Sequence, residues 1–279
     1  MLNYWWVTRP KRKLDSIPET LKCFSSVALE KFWKGNTEVQ LAFESELEKC
    51  GLKRQGERKD QRGSGARTYF AWLSSLGLVY INEESGCPEL TEAGKALVVG
   101  NDTNQVLIDQ VLKYQFPSPF SLSPHSAKTR VDSRFNIRPF IFILRMLSDD
   151  RISYLTKEEI GRIIAVEAHD ESDETFELVV KKVLEYREDG IAILDEDYFT
   201  KYAPSSGKVN IFHPYSHLDD LANTLVNWLT YTELICNSEF GIKLNSSKEK
   251  EINRILSTKN TLIENASNQQ EFQINYGRI

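Results

Sequence analysis

The stretch KRQGERKDQRGSGARTYFAWLSSLGLVYINEESGCPELTEAGK, residues 53–95, decides the fold of this chain. Aromatic and aliphatic side chains recur at helical spacing from Thr68 to Leu76, which predicts a short helix. Gly77 ends this helix, because glycine accepts the left-handed conformation that a helix end often needs. Residues 78–81 then predict a strand, residues 82–88 a turn, and residues 89–90 the returning strand. Thr91 is expected to cap the next helix.

A helix followed by a two-stranded hairpin is the second half of a winged helix. Two earlier helices complete the pattern, one predicted from Thr20 to Lys34 and one that Thr37 is expected to cap. In a winged helix, the helix before the hairpin enters the major groove of DNA with its N-terminal end. Here that end is RGSGART, residues 62–68. We expect its two glycines to let the backbone approach DNA, and Arg62 and Arg67 to reach guanine edges or phosphates.

The same order of elements returns later in the chain, without any likeness in sequence. Ser216 is expected to cap an amphipathic helix, which strands at residues 234–236 and 241–244 and another helix follow. The predicted fold class is therefore mainly α with small β wings (α+β), built from two winged-helix (helix-turn-helix) subdomains. The expected divisions are a basic arm at residues 1–19, subdomain 1 at 20–125, subdomain 2 at 126–258 and a polar linker at 259–279.

The composition predicts a folded cytoplasmic protein with room for two domains. Of its 279 residues, 41% are hydrophobic and 11% are aromatic. No apolar run approaches the roughly 20 residues that a membrane helix needs, and the N-terminal residues contain no signal-peptide core. The four cysteines form no CxxC pair, which fits reduced thiols better than a disulfide framework or a zinc site. They are Cys23, Cys50, Cys87 and Cys236.

The distribution of charge favours a nucleic-acid ligand, although the net charge is -5. Residues 1–13 carry four basic residues and no acid, residues 53–67 carry six basic and two acidic residues, and residues 128–138 carry four and one. Solvated surface charge is the alternative interpretation of any one cluster. The residues expected to bind DNA lie in these clusters or at the start of the helix before the second hairpin. They are Arg9, Lys11, Arg12, Arg58, Lys59, Arg62, Ser64, Arg67, Thr68, Lys128, Arg130, Arg134, Lys208, Asn210, His213, Ser216 and His217.

Three patterns suggest catalytic or metal chemistry, and each has a simpler explanation. Glu89, Glu92 and Lys95 resemble a metal-nuclease set, but the last two lie on the first turns of a predicted helix, where they pair locally. The histidines at 213 and 217 flank a proline and lack an HExxH glutamate, and the acids at 195–197 suit a solvated loop. The sequence also shows no phosphate-binding glycine loop. We therefore expect no catalytic and no metal-binding residue in this chain.

Four segments stand in a particular order along the first half of the chain. They are FWKG at residues 32–35, LTEAGKAL at 90–97, VLKYQFPS at 111–118 and RPFIFIL at 138–144. Their order and spacing resemble the N-terminal half of AlwI-type type IIS restriction and nicking endonucleases. The resemblance covers residues 30–165 most clearly and is weaker beyond them.

The resemblance implies a DNA-recognition domain. In that family, winged-helix subdomains bind a short asymmetric site on double-stranded DNA, and a separate C-terminal PD-(D/E)XK nuclease domain that depends on Mg²⁺ cuts outside it. No nuclease motif is readable here, so no catalytic residue is carried over and no cofactor is expected in this chain. The resemblance further implies a bacterial cytoplasmic protein that is a monomer as an isolated domain. Residues 259–279 would lead to the nuclease domain of the parent site-specific deoxyribonuclease, through which the parent would dimerise.

Two other functions stay open from the sequence. A winged-helix transcription regulator would dimerise and bind a palindromic site. A self-contained metal nuclease would cut plasmid DNA in the presence of magnesium.

Overall fold

The computed structural model describes residues 2–56, 61–118, 131–204, 210, 212–258, 262 and 269–279. Within these ranges the chain is mainly helical with two small antiparallel hairpins, which confirms the predicted class of mainly α with small β elements. None of the helices described is both long enough and apolar enough to cross a membrane.

The elements follow one another in this order. The helices are α1 (Ile17–Ala28), α2 (Thr37–Lys49), α3 (Ser64–Ser75), α4 (Glu92–Val99), α5 (Thr103–Lys113), α6 (Pro139–Leu147), α7 (Lys157–Glu159), α8 (Ala165–Glu167), α9 (Asp173–Asp189), α10 (Tyr198–Lys201), α11 (Ser216–Tyr231), α12 (Glu249–Ser257) and α13 (Gln269–Tyr276). The strands are β1 (Val79–Ile81), β2 (Pro88–Leu90), β3 (Ile235–Asn237) and β4 (Ile242–Leu244). A π-helical segment, Ile160–Ile164, joins α7 to α8, and 3-10 turns lie at Gly190–Ile193 and Ser246–Lys248.

The chain divides into two compact units, each assembled from segments that are distant in sequence. The first unit comprises Thr8–Lys113 and Ile263–Ile279, and the second comprises Met1–Val7 and Tyr114–Leu262. These boundaries differ from the expected ones, which lie after residues 19, 125 and 258. The difference arises because both chain ends carry large apolar side chains that are buried.

A cluster of aromatic rings joins the first three helices of the first unit. The Phe24 ring of α1 lies 5.4 Å from Trp33 and 5.1 Å from Phe43 of α2, both edge-on. Phe70 of α3 joins them at 5.5 Å from Phe24. Aromatic pairs at this spacing contribute about 0.5–1.5 kcal/mol each beyond their burial. The cluster thus fixes α2 against α3.

The hairpin after α3 matches the predicted one closely. Val79 pairs with Leu90 and Ile81 with Pro88 in antiparallel register. The Thr91 hydroxyl accepts a hydrogen bond from the Gly94 backbone N–H at 3.1 Å and so caps α4, as expected. The turn chemistry and the cap are local features, which explains why the sequence predicts them well.

The C-terminal helix α13 is part of the first unit, so the expected linker at residues 259–279 is corrected over its last residues. Phe272 and Tyr276 are buried. The Gln273 side chain donates a hydrogen bond to the Ser74 hydroxyl at 2.6 Å. Gly77 allows close contact, since a Cβ there would lie 2.5 Å from the Tyr276 ring. The helix α13 has few apolar residues, but these are buried, and they hold it against the rest of the first unit.

The helix α11 forms the centre of the second unit. Its Trp228 stacks on Phe140 of α6 at 5.8 Å between ring centroids. Gly161, in the π-helical segment, lets α11 approach closely, because a Cβ there would lie 2.7 Å from the Leu218 carbonyl oxygen. This contact holds the N-terminal part of α11 against the segment that joins α7 to α8.

The second hairpin forms a further β-bridge with one residue outside it, Leu155. Ile235 pairs with Leu244 and Asn237 with Ile242. Ile242 and Leu155 also exchange two backbone hydrogen bonds of 2.9 Å, which extends the hairpin by an isolated bridge. The strand positions agree with those predicted at residues 234–236 and 241–244.

Residues 2–7, the start of the expected basic arm at residues 1–19, are anchored in the second unit. Trp5 is fully buried, and its backbone N–H donates to the Ala165 carbonyl at 2.8 Å. Its indole N–H donates to the Ala168 carbonyl, also at 2.8 Å. The Asp132 N–H donates to the Leu2 carbonyl at 2.8 Å. Buried backbone groups rarely stay unpaired, so these bonds and the buried indole hold the segment in place.

Candidate nucleic-acid interface

The N-terminal end of α3 is stabilised by α2 rather than by a local cap. Gly63, just before the helix, adopts a φ of 72°, and no side chain caps the helix from that position. Instead, Glu44 Oε1 accepts a hydrogen bond from the Ala66 N–H at 2.9 Å, across 22 residues of sequence. The helix therefore begins at Ser64 and not at Thr68 as expected, because its first turn finds an acceptor on a neighbouring helix.

Glu44 is a buried carboxylate with partners in the first unit. It is 1% exposed, and Lys53 Nζ lies 3.2 Å from Oε1. A carboxylate at a helix N-terminus also interacts favourably with the helix dipole. Because burying a charge without partners is costly, this pairing ties the packing of α2 to the position of α3.

Ser64, Arg67 and Thr68 form one exposed side of the start of α3. Residues three and four positions apart lie on the same side of a helix, and all three are exposed. Arg62, which precedes the helix, is exposed as well. We refer to these four residues as the α3 face. The structure thus brings together four of the residues that the sequence predicted to contact DNA.

The guanidinium of Arg67 is oriented by uncharged partners. Its Nη1 donates to Gln40 Oε1 at 2.8 Å and also to the Arg62 carbonyl oxygen. Gln40 is itself buried and oriented, since its Nε2 donates to the Trp33 carbonyl at 2.9 Å. Neither of these partners is acidic, and within the described part of the chain Arg67 forms no ion pair. Such a fixed planar cation suits paired acceptors, as on a guanine edge or a phosphate.

Gly63 and Gly65 serve the contact between α3 and α2, in addition to the approach to DNA expected of them. A Cβ on Gly63 would lie 2.7 Å from Gln40 Cβ, and one on Gly65 would lie 2.0 Å from Glu44 Oε1. Real Cβ atoms essentially never approach other atoms below 3.0 Å. The glycines therefore allow Gln40 and Glu44 to reach the first turn of α3.

The basic residues before α1 differ in exposure. Arg12 is exposed, whereas Arg9 and Lys11 are half-buried. Burial lowers the pKa of the Lys11 ammonium, because it removes water from the charged form. Arg12 is therefore the most solvated cation of the three.

Arg134 is engaged in a bidentate ion pair. Its Nη2 lies 2.9 Å from Asp132 Oδ2, and its Nε donates to Oδ1 at 3.2 Å. The hydrogen bonds from Arg134 lower the pKa of the Asp132 carboxyl. This geometry does not favour the expected contact of Arg134 with a DNA backbone. Further arginines of the second unit also form ion pairs with acids: Arg138 with Glu171, Arg145 with Asp173, Arg151 with Asp149, Arg162 with Asp219 and Arg187 with Glu159.

The loop before α11 presents three of the predicted residues. Asn210 and His213 are exposed, and Ser216 is half-buried. Asn210 Oδ1 accepts hydrogen bonds from the backbone N–H groups of Phe212 at 3.0 Å and His213 at 3.3 Å. The Asn210 side chain thus closes the turn that leads into the helix.

His217 has a structural role, which corrects its expected contact with DNA. Its Nε2 lies 2.6 Å from the Tyr202 carbonyl oxygen, so this nitrogen carries a proton and donates. Its ring also contacts Tyr4 edge-on at 5.5 Å. The imidazole is therefore directed into the second unit.

The remaining expected contact residues lie outside the described part of the chain. They are Arg58, Lys59, Lys128, Arg130 and Lys208.

The family follows from a sequence match that covers most of the chain. Residues 74–278 match the model of the AlwI restriction endonuclease family. The chain belongs to this family. The match begins at the end of α3 and continues through α13.

A solved structure shares the fold of this AlwI-family chain. It is described as the crystal structure of pyrene- and phenanthrene-modified DNA in complex with the BpuJ1 endonuclease binding domain. The TM-score is 0.65 with 17% sequence identity, over 98% of this chain and 96% of that chain. At this identity the similarity shows a common fold. No curated protein matches the chain in sequence.

Glu89 of this AlwI-family chain, the first residue of the carboxylate–lysine pattern, is hydrogen-bonded within the first hairpin. Glu89 accepts hydrogen bonds from the Tyr80 hydroxyl and from Asn82 Nδ2, the latter at 2.8 Å. Burial and the bond to Glu89 raise the pKa of Tyr80 to about 12. Glu92 and Lys95 are exposed on α4. Glu89 is thus used within the hairpin itself.

Sequence analysis missed the residues that support the α3 face, namely Gln40, Glu44 and Lys53. A signal for the first two was available in α2. They are polar residues four positions apart, next to the apolar Val39 and Phe43 on the buried side of the helix. Polar side chains at such positions need specific partners, and here those partners are at the start of α3.

Proposed function

We propose that this chain is the sequence-specific DNA-recognition domain of a type IIS restriction endonuclease. The observation that carries this proposal is the α3 face, an exposed basic helix start directly before an antiparallel hairpin. Family membership supports it, as does the similar fold of an endonuclease binding domain that was crystallised with DNA. In this proposal both units are winged helices that bind one short asymmetric site as a monomer.

The α3 face would enter the major groove. Arg62 and Arg67 would each form two hydrogen bonds to guanine, while Ser64 and Thr68 would contact neighbouring bases or phosphates. The tip of the first hairpin carries the exposed acids Glu83 and Glu84, which would repel phosphates. Base recognition in this unit therefore rests on the helix and not on the wing.

The second unit would contribute through Asn210, His213 and Ser216, before and at the start of α11. Because its arginines are largely paired with acids, it would bind mainly through polar groups. Arg9, Lys11 and Arg12 would add phosphate contacts, which position a protein without specifying a sequence.

Cleavage would belong to a separate PD-(D/E)XK domain with Mg²⁺ in a parent enzyme of the bacterial cytoplasm. Selection of bound sites from a pool of random duplexes tests the recognition role. We expect an asymmetric consensus and one chain per duplex. A palindromic consensus bound by two chains would instead identify a winged-helix transcription regulator.

Incubation with plasmid DNA and Mg²⁺ tests the assignment of cleavage to another domain. We expect no cutting by this chain. Site-specific cutting that Glu89→Gln abolishes would show that the chain is a complete nuclease.

A further inference from the structure

Two glutamate–cysteine pairs face each other in the first unit. Glu19 and Cys23 are four residues apart on α1, and Glu46 and Cys50 are four residues apart at the end of α2. Residues at this spacing lie on one side of a helix, so each pair presents a carboxylate and a thiol together. The two helices pack against each other through the aromatic cluster described above.

The ligand atoms of these pairs are close. Those of Glu19, Cys23 and Cys50 all lie within 4.8 Å of one another. The sulfurs of Cys23 and Cys50 are 3.0 Å apart, and Cys50 Sγ lies 4.0 Å from Glu46 Oε1. The other oxygen of Glu46 is 3.0 Å from Lys49 Nζ, which leaves Oε1 directed to the thiols.

The cluster is closed toward the core and open to solvent. Cys23 is buried, while Glu19 and Cys50 are exposed. An ion could therefore enter from water and be held against α1.

We propose that Glu19, Cys23, Glu46 and Cys50 form a binding site for one thiophilic divalent cation such as Zn²⁺. Zinc in structural sites is tetrahedral and accepts both cysteine sulfur and carboxylate oxygen. Two sulfurs and two oxygens would complete its coordination. With Zn–S bonds of about 2.3 Å, a tetrahedral ion holds its sulfurs about 3.8 Å apart. The present sulfurs need to separate by less than about 1 Å, which rotation of the exposed Cys50 side chain can provide.

A divalent cation suits this site, because it compensates the carboxylates and binds the two cysteines as thiolates. Binding releases two protons to the solvent and transfers no electron.

This site departs from the expectation of no metal in the chain, and the reason lies in its spacing. Its two cysteines are 27 positions apart in sequence, so they form no CxxC motif that would indicate a metal site. The ion would link α1 to α2, the helix that positions the α3 face.

Titration of the reduced, metal-free chain with Co²⁺ tests the proposal. We expect one Co²⁺ per chain, with sulfur-to-cobalt charge-transfer absorption and the d–d bands of a tetrahedral ion. Zn²⁺ should displace it, and about two protons per ion should be released in weak buffer. Zn²⁺ should also raise the Tm of the chain.

Variants identify the ligands. Cys50→Ser should abolish the charge-transfer band, and this exposed helix end tolerates the change, which thermal unfolding in chelator verifies. Cys23→Ser should do the same, and Glu46→Gln should weaken Co²⁺ binding severalfold. The matched controls Cys87→Ser and Cys236→Ser should bind Co²⁺ as the wild type does. A folded wild type without the band would overturn the proposal, as would a band that Cys50→Ser retains, or a Cys23–Cys50 disulfide that persists in reductant.

Discussion

Glu44 and Ala66 are joined by a 2.9 Å hydrogen bond from the Ala66 backbone N–H to the Glu44 carboxylate. The bond connects the buried side of α2 to the first turn of α3, where Arg67 is exposed. The position of the exposed cation therefore depends on a buried anion of another helix. This dependence leads to the first two predictions.

Glu44→Ala should destabilise the first unit. The change leaves Lys53 and the Ala66 N–H without their acceptor, and an unsatisfied buried group costs about 1–3 kcal/mol. Urea unfolding measures the loss. Glu38→Ala, at an exposed position of the same helix, is the control and should change stability by less than about 0.5 kcal/mol. Equal effects of the two substitutions would contradict the buried role of Glu44.

Gly65→Ala should lower stability even without DNA. Its Cβ would lie 2.0 Å from Glu44 Oε1, and overpacking of this kind typically costs about 1–3 kcal/mol. Ser64→Ala, on the exposed side of the same turn, is the matched control and should be nearly neutral. Unchanged stability of Gly65→Ala with weaker DNA binding would show that the glycine serves DNA approach instead.

Arg62→Ala and Arg67→Ala should each relax specificity at one base pair of the selected site. The expected loss is about 1–3 kcal/mol at that position, because a bidentate pair to guanine is removed. Arg67→Lys should not restore it, since an ammonium lacks the planar fork. Binding is measured on the selected duplex and on all its single-base variants. Uniform weakening across these duplexes would make the two arginines phosphate contacts.

The triple substitution of Arg9, Lys11 and Arg12 by alanine should weaken binding to all sequences alike. The slope of log K against log salt should fall by roughly 0.9 for each lost phosphate contact. Point substitutions are preferable to truncation, because Trp5 is buried. Lys181→Ala, which removes a 73% exposed cation of α9, serves as the control. An unchanged slope in the triple variant would exclude these residues from the interface.

Alanine at Asn210, His213 and Ser216 together should alter the selected consensus on one side of the site. His217→Ala should lower stability and leave the consensus unchanged, because its ring bonds to the Tyr202 carbonyl inside the unit. A uniform loss of affinity in the triple variant would mean that this loop only positions the protein.

Local features of this chain could be predicted from its sequence. The hairpins at Val79–Leu90 and Ile235–Leu244 follow from short apolar runs around turn residues. The cap at Thr91 follows from a hydroxyl placed before a periodic segment. Thr37 and Ser216, also expected to be caps, are instead the first residues of α2 and α11. The exposed residues of the α3 face were predicted for the same reason, since they stand at the start of a recognisable helix. Each of these features depends on residues a few positions apart.

Tertiary structure decided the features that join distant residues. The buried ends of the chain, the support of α3 by Glu44, the packing of Gly63 and Gly65 and the inward turn of His217 all depend on partners far away in sequence. The contact between Cys23 and Cys50 also joins residues that are distant in sequence. Hydrophobic patterning identifies which side of a helix is buried, but not which helix covers it. A buried polar group or a glycine acquires its role only from the neighbour that the fold places beside it.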